Sequence, residues 1–337
     1  MNNNVIDIHV HFGAPRNDQN ECYWSKKFES TPAYWFMKIT SGALLKKTSF
    51  NLFFNKILKV INDSKKVNKV VLLAMDKVYD ENGKAKDHET HLFVPNSFIV
   101  NLTQQNKRIL LGASIHPYRD DCETEFKYCL EKGAKLIKWI PSSQQIDPEH
   151  QKCFPFYSKL IEHELPLLVH CGPEYAIPTS NSNFIEKNNP KYLRKALEMG
   201  VTIIIAHCAL PYWGKLDKDY FDDKEEFFKL FEDARKNNWN LYADLSALAT
   251  PLRSDFIPEI KEKIPQERLL FGSDYPIPAS ELSYKKTKNP IKWVQLFFKA
   301  LQIKNPLDKN YQLISKMGLD NKIFANATKL FLEIEYA

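Results

Sequence analysis

The chain has 337 residues, enough for two domains of ~150 residues or for one large α/β barrel. Hydrophobic residues at 44% and aromatics at 13% exclude intrinsic disorder. The net charge of +6, from 47 basic and 41 acidic residues with few Arg among them, argues against a nucleic-acid partner.

From the N-terminus, the first apolar run is Val5-Ile6-Asp7-Ile8-His9, continuing to Phe12. Along it Ile6, Ile8, Val10 and Phe12 alternate with Asp7, His9 and His11, and side chains two apart share a strand face. The aliphatic set is expected against surrounding helices, with both imidazoles toward the centre of the fold. Two imidazoles held that way can chelate one divalent metal, although His-x-His alone is a common spacing.

Residues 12–50 then form an aromatic-rich insertion that delays the first helix. Further strands are expected at Lys69 to Ala74, Ile109 to Ile115, Lys135 to Ile140, Pro166 to His170, Val201 to His207, Leu241 to Leu245 and Leu269 to Asp274. Helical stretches fill the gaps, among them Phe154 to His163, Pro190 to Met199, Asp223 to Lys236 and Asp255 to Lys263. The steps from Lys138 to His170, His207, Asp244 and Asp274 are 32, 37, 37 and 30 residues. One strand, a crossover helix and two loops need about that length. Eight such units predict an α/β fold, a (β/α)8 TIM-type barrel, in a single domain over 1–337. The insertions at about 12–50, 171–189 and 211–222 extend βα loops, which lie on the catalytic face, and are expected to build the pocket and its lid. From about 290 the chain reads as two or three extra C-terminal helices packed outside, the last from Asn321 to Ile334.

Three further runs end in a ligand-type residue: the fifth in His170, the sixth in His207, the eighth in Asp274. With His9 and His11 these side chains would meet at the C-terminal rim, a donor set suited to Zn or another borderline divalent ion. Cys171 and Cys208 directly follow two of these His and face the other way, as packing residues. Asp244 is expected to accept a His N–H behind the metal. Glu174, Arg253 and His116 are candidates for contacting substrate, and Arg119 for holding a carboxylate. His88, His91, His150 and His163 have no evident role.

In order, DIHVHFG, LIKWIP, LLVHCG, IIIAHC and LLFGSDYP, with NATKLF at 326–331, resemble the amidohydrolase superfamily. Within it they look most like the amidohydrolase-2 branch, which includes aminocarboxymuconate semialdehyde decarboxylase relatives. That resemblance implies one metal on His9, His11, His170 and Asp274, with His207 as a general acid or base. In binuclear members a carboxylated fourth-strand lysine bridges two metals and both later His are ligands. Lys138 occupies that strand, so one or two ions fit the sequence. A bare ammonium beside a dication is repulsive, and carboxylation is the favoured relief.

The expected function is a metal-dependent hydrolase using a metal-activated water to cleave an amide, lactone or ester bond of a small molecule. Asp274 would take the proton of the water and His207 would polarise the carbonyl or protonate the leaving group. The alternative is a metal-dependent decarboxylase or hydratase acting on an unsaturated or aromatic carboxylate. No apolar run reaches ~18 residues, the start lacks a basic and apolar leader, and the six Cys show no CxxC. A cytoplasmic protein with reduced thiols, no membrane partner and a possible homodimer is expected.

Overall fold

Backbone pairing turns the eight predicted runs into one cyclic parallel sheet. The structure, a computed structural model, describes residues 4–16, 20–211, 221–284 and 290–336. Its strands are β1 (Ile6–His11), β2 (Lys69–Leu73), β3 (Ile109–Ala113), β4 (Leu136–Trp139), β5 (Leu167–Val169), β6 (Ile203–Ile205), β7 (Leu241–Asp244) and β8 (Leu269–Leu270), paired in that order. β8 has only two residues, yet the circle closes beyond it. Ile8 N–H donates to Phe271 O at 3.1 Å, Asp274 N–H to His9 O at 2.9 Å and His11 N–H to Tyr275 O at 2.8 Å. Helices α1 (Pro32–Thr40) and α2 (Phe50–Asp63) separate β1 from β2. Each later gap holds a longer helix: α3 (Asn96–Gln105), α4 (Cys122–Glu131), α5 (Cys153–Glu162), α6 (Arg194–Met199), α7 (Phe221–Asn237) and α8 (Ile257–Lys263), with a further single turn, Pro141–Gln144, ahead of α5. The architecture is the (β/α)8 barrel.

The fifth, sixth and eighth strands are shorter than their apolar runs. The residues carrying donors leave the ladder: His207, Cys208 and Ala209 have φ of +39°, +55° and +49°, and Asp274 has +59°. These left-handed turns bend the chain at the rim, where a continuing strand could not.

Alternation along β1 is also broken. A register shift between Asp7 and Val10 slips the strand by one residue. Ile6 and Ile8 therefore face inward with Leu136, Leu168, Ile204 and Leu270, while Val10 and Phe12 join the core under the helices. This corrects the expectation that all four aliphatics face outward. Above the slip His9 and His11 take the inward positions.

Three C-terminal helices follow: α9 (Pro290–Leu301), α10 (Pro306–Ile314) and α11 (Ile323–Tyr336). The last is not an outer layer, since Ala327, Leu330 and Phe331 pack into the inward-facing cluster and seal the N-terminal end of the barrel. The 12–50 insertion carries a helix of its own, α1, and a strand Tyr23–Trp24 that pairs antiparallel with Leu92–Phe93. Most of the 211–222 insertion lies outside the described residues.

Candidate metal centre

β1 and the chain leaving β8 bring His9, His11 and Asp274 together at the seam of the barrel. His9 Nδ1 lies 2.7 Å from Asp244 Oδ2. Burial works to raise the Asp244 carboxyl, but His9 and hydrogen bonds from His9, Ser246 and the His207 backbone outweigh it and hold the group below its ordinary range. A carboxylate only accepts, so His9 donates from Nδ1 and keeps a lone pair on Nε2. That lone pair faces His11 Nε2 at 3.0 Å. Asp274 Oδ1 stands 3.4 Å from His11 Nε2 and 3.6 Å from His9 Nε2. The three donor atoms lie within 4.8 Å of one another.

The surroundings set the charge states of His11 and Asp274. Burial lowers the His11 pKa to about 4, leaving a neutral imidazole at neutral pH. For Asp274 burial pushes upward, yet His9, the hydrogen bond from His11 and Arg253 prevail and keep it ionised. Asp7 anchors the slipped strand, its Oδ1 accepting from His9 N–H at 3.1 Å and Ser273 N–H at 2.9 Å.

His170 and His207 face each other rather than completing the tight cluster. His207 Nε2 is 3.0 Å from His170 Nδ1, which lies 3.3 Å from Glu174 Oε2. Their other nitrogens, His170 Nε2 and His207 Nδ1, are buried without a protein hydrogen-bond partner among the described residues. A native fold rarely strands two buried imidazole nitrogens, so this donor set fits a cation and its substrate. Burial holds both rings well below the usual histidine range, helped by Lys138 and Arg253. His207 is fixed by its backbone N–H, which donates to Asp244 Oδ1 at 2.7 Å. Its left-handed turn packs on Gly172, where a Cβ would stand 3.0 Å from Ala209 O.

Lys138 is 1% exposed, with Nζ 3.5 Å from His9 Nε2, and burial lowers its pKa. It stands beside the donors. Above them a cavity is walled by His170, His207, Glu174 and Arg253 and roofed by Phe28, Phe36, Met37 and Leu92. The insertion at 12–50 thus builds the pocket, as expected. Burial pushes the Glu174 carboxyl up to about 7. Its Oε1 accepts from Ala176 and Ile177 N–H.

Two candidate substrate contacts do not reach the cavity. His116 is fully buried, donating from Nε2 to Gln144 O at 2.9 Å and accepting at Nδ1 from Tyr118 N–H at 3.1 Å. With both nitrogens committed to the backbone, it is a structural histidine. Arg119 is held by Asp76 at 3.0 Å and Asp121 at 2.6 Å. Cys171 and Cys208 pack as expected, and Asp244 takes its expected place behind His9. The sequence reading missed Asp7, Ser246 and Gly272. A Cβ on Gly272 would lie 3.0 Å from His9 Cβ and 3.2 Å from Ser246 Cβ. The signal for Asp7 was its place within the first motif, but simple alternation gave it no partner.

Comparison with known proteins agrees with the barrel fold. The profile of the amidohydrolase family, in its second class, matches residues 66–296, and the chain belongs to that family. The family is metal-dependent and its fold is that of an enzyme. An uncharacterized TIM-barrel protein from Bordetella bronchiseptica shares 14% identity at TM-score 0.56, covering 96% of this chain and 99% of that one. A provisionally named 2-pyrone-4,6-dicarboxylic acid hydrolase from Pseudomonas putida shares 12% at 0.57, covering 100% of both. A 5-carboxyvanillate decarboxylase from Novosphingobium aromaticivorans, complexed with manganese and 4-hydroxy-3-methoxy-5-nitrobenzoic acid, shares 12% at 0.51, covering 97% and 96%. At such identities the likeness is one of fold. No curated protein matches the chain.

Proposed function

We propose that the protein is a metal-dependent hydrolase that cleaves an amide, lactone or ester bond of a small molecule. The observation that carries this reading is the convergence of His9 Nε2, His11 Nε2 and Asp274 Oδ1 at the floor of a cavity. These residues would hold a divalent cation, zinc by the character of the donors, with His170 Nε2 as the further ligand. When bound, the cation supplies Lewis acidity toward a carbonyl and a water. Lys138 Nζ lies 3.5 Å from His9 Nε2, the nitrogen offered to the cation; a second ion would require its carboxylation, together with His170 and His207.

The remaining work falls to the chain itself. His207, neutral and facing the cavity, receives the proton that Asp274 removes from the attacking water and delivers it to the leaving group. Asp274, held ionised, orients the attacking water and takes its proton. Arg253 on the cavity wall binds an anionic or carbonyl oxygen of the substrate. The apolar roof excludes bulk water and strengthens these interactions. The six cysteines form no disulfide among the described residues, which suits a reducing cytoplasm.

A second reading is favoured by one feature. The roof of Phe28 and Phe36 suits a flat unsaturated carboxylate, the substrate shape of a decarboxylase. A panel of lactones, amides and aryl carboxylates, followed for acid release and for carbon dioxide, separates the two. Acid release alone supports hydrolysis; carbon dioxide alone overturns it. Metal analysis tests the site directly: His9→Ala and Asp274→Ala should each lose most of the bound ion. Full occupancy in both would remove the proposed centre. Addition of bicarbonate, with and without Lys138→Ala, reads the number of ions.

A further inference from the structure

From 30 to 62 the chain contains five lysines, Lys38, Lys46, Lys47, Lys56 and Lys59, and no aspartate or glutamate. Among the described residues only Lys59 of these is ion-paired, to Asp63 at 2.7 Å. The same segment carries exposed apolar side chains. Trp35 (48% exposed) and Ile39 (57%) lie one turn apart on the outer face of α1, and Leu44 (51%) and Leu45 (98%) form a tip ahead of Lys46 and Lys47. Scattered exposed hydrophobics are ordinary. Here they fall within eleven residues of sequence, among cations, with Leu45 touching almost nothing of the fold.

We propose that this segment docks the protein on an anionic lipid surface. Trp35, Ile39, Leu44 and Leu45 enter the headgroup layer, while Lys38, Lys46 and Lys47 meet the lipid phosphates. Apolar residues flanked by lysines that snorkel to the polar layer are how a chain lies on a bilayer without crossing it. No helix among the described residues is long and apolar enough to cross a membrane, so the contact is peripheral. The expectation of no membrane partner rested on the lack of a spanning run and of a leader, neither of which a peripheral contact needs.

Charge decides between a bilayer and a second copy of the chain. A twofold contact would set the same patch against itself, lysines toward lysines, with no carboxylate in the segment to pair them. Lysine is also depleted at protein–protein interfaces. A phosphate-bearing surface supplies the missing anions. The opposite face of α1 contributes Ala33, Phe36 and Met37 to the cavity, so docking would turn the roof of the site toward the lipid.

The test is co-sedimentation of the full chain with vesicles of phosphatidylcholine, with and without phosphatidylglycerol. Binding is expected only with the anionic lipid and should be released near ~1 M salt, where the Debye length is ~3 Å. Lys46→Gln with Lys47→Gln should weaken partition about 25-fold. Leu44→Ser with Leu45→Ser should weaken it at least about tenfold. Unchanged thermal midpoints show that both variants fold. No vesicle binding by the parent protein overturns the proposal, as does binding that survives both variants. A parental dimer that the leucine variant converts to monomer, without vesicle binding, overturns it in favour of a second copy.

Discussion

Asp244 ties three parts of the site together. One oxygen accepts from His9 Nδ1; the other accepts from His207 N–H and from the backbone and hydroxyl of Ser246. It fixes the tautomer of one ring and the backbone carrying another. His207 can then serve as an acid or base of defined position. His207→Asn should keep the fold and the metal while lowering turnover by ~10²–10⁴; a variant that turns over substrate at the parental rate would exclude the role. His116 makes a different prediction. Burial lowers its pKa to about 3, from an ordinary value near ~6.5. Between those values the unfolded chain binds a proton that the folded chain refuses, so stability is lost as pH falls. From pH 7 to 5 this amounts to about 2 kcal/mol. His116→Gln should be destabilised at pH 7, with its gap to the parent narrowing by that amount at pH 5 in urea titrations. A constant gap would mean that His116 does not titrate as its burial requires.

The strands were legible because each apolar run is buried on both faces and repeats at the length of a strand–helix unit. The donors were legible because they end those runs. What was hidden is the slip in β1: alternation placed His9 and His11 inward correctly but carried Ile6 and Ile8 to the wrong side. Nothing in the composition of a strand announces a bulge; it is set by Asp7 holding the His9 and Ser273 amides. α1 was hidden for another reason. Trp35 and Ile39 leave large apolar side chains on its outer face, so residue type alone does not mark which side is buried. Gly272 tests the slipped strand. Its φ is one any residue adopts, so the demand for glycine is purely one of space beside His9. Gly272→Ala should cost about 1–3 kcal/mol and lower metal occupancy as His9 shifts. Normal stability with full occupancy would show that the strands part more easily than the contact implies.

Across the whole molecule, α11 does what no barrel strand can. The inward-facing cluster of Ile6, Ile8, Val71 and Leu73 would open to water at its N-terminal end without Leu330 and Phe331. Helical periodicity identified this element, but its packing partner is a property of the closed barrel and not of the local sequence. Phe331→Ala should cost about 3–5 kcal/mol by emptying that end. It should leave the metal stoichiometry intact, because the donors sit at the opposite rim. A loss near zero in chemical denaturation would place the seal elsewhere.

The donors His9 and His11 come from the first strand and Asp274 from just beyond the last, on either side of a seam held by a few backbone hydrogen bonds. An ion bound at the proposed centre would be a clasp between the two ends of the barrel sequence. While the chain is still being synthesised the clasp has only one half, and it cannot shut until residue 274 has emerged and β8 has found β1. At the proposed centre, metal capture would therefore be a late event in the life of the nascent polypeptide. A partly made barrel has no complete site with which to sequester the ion, and a completed one gains, on loading, a cross-link between its earliest and latest strands.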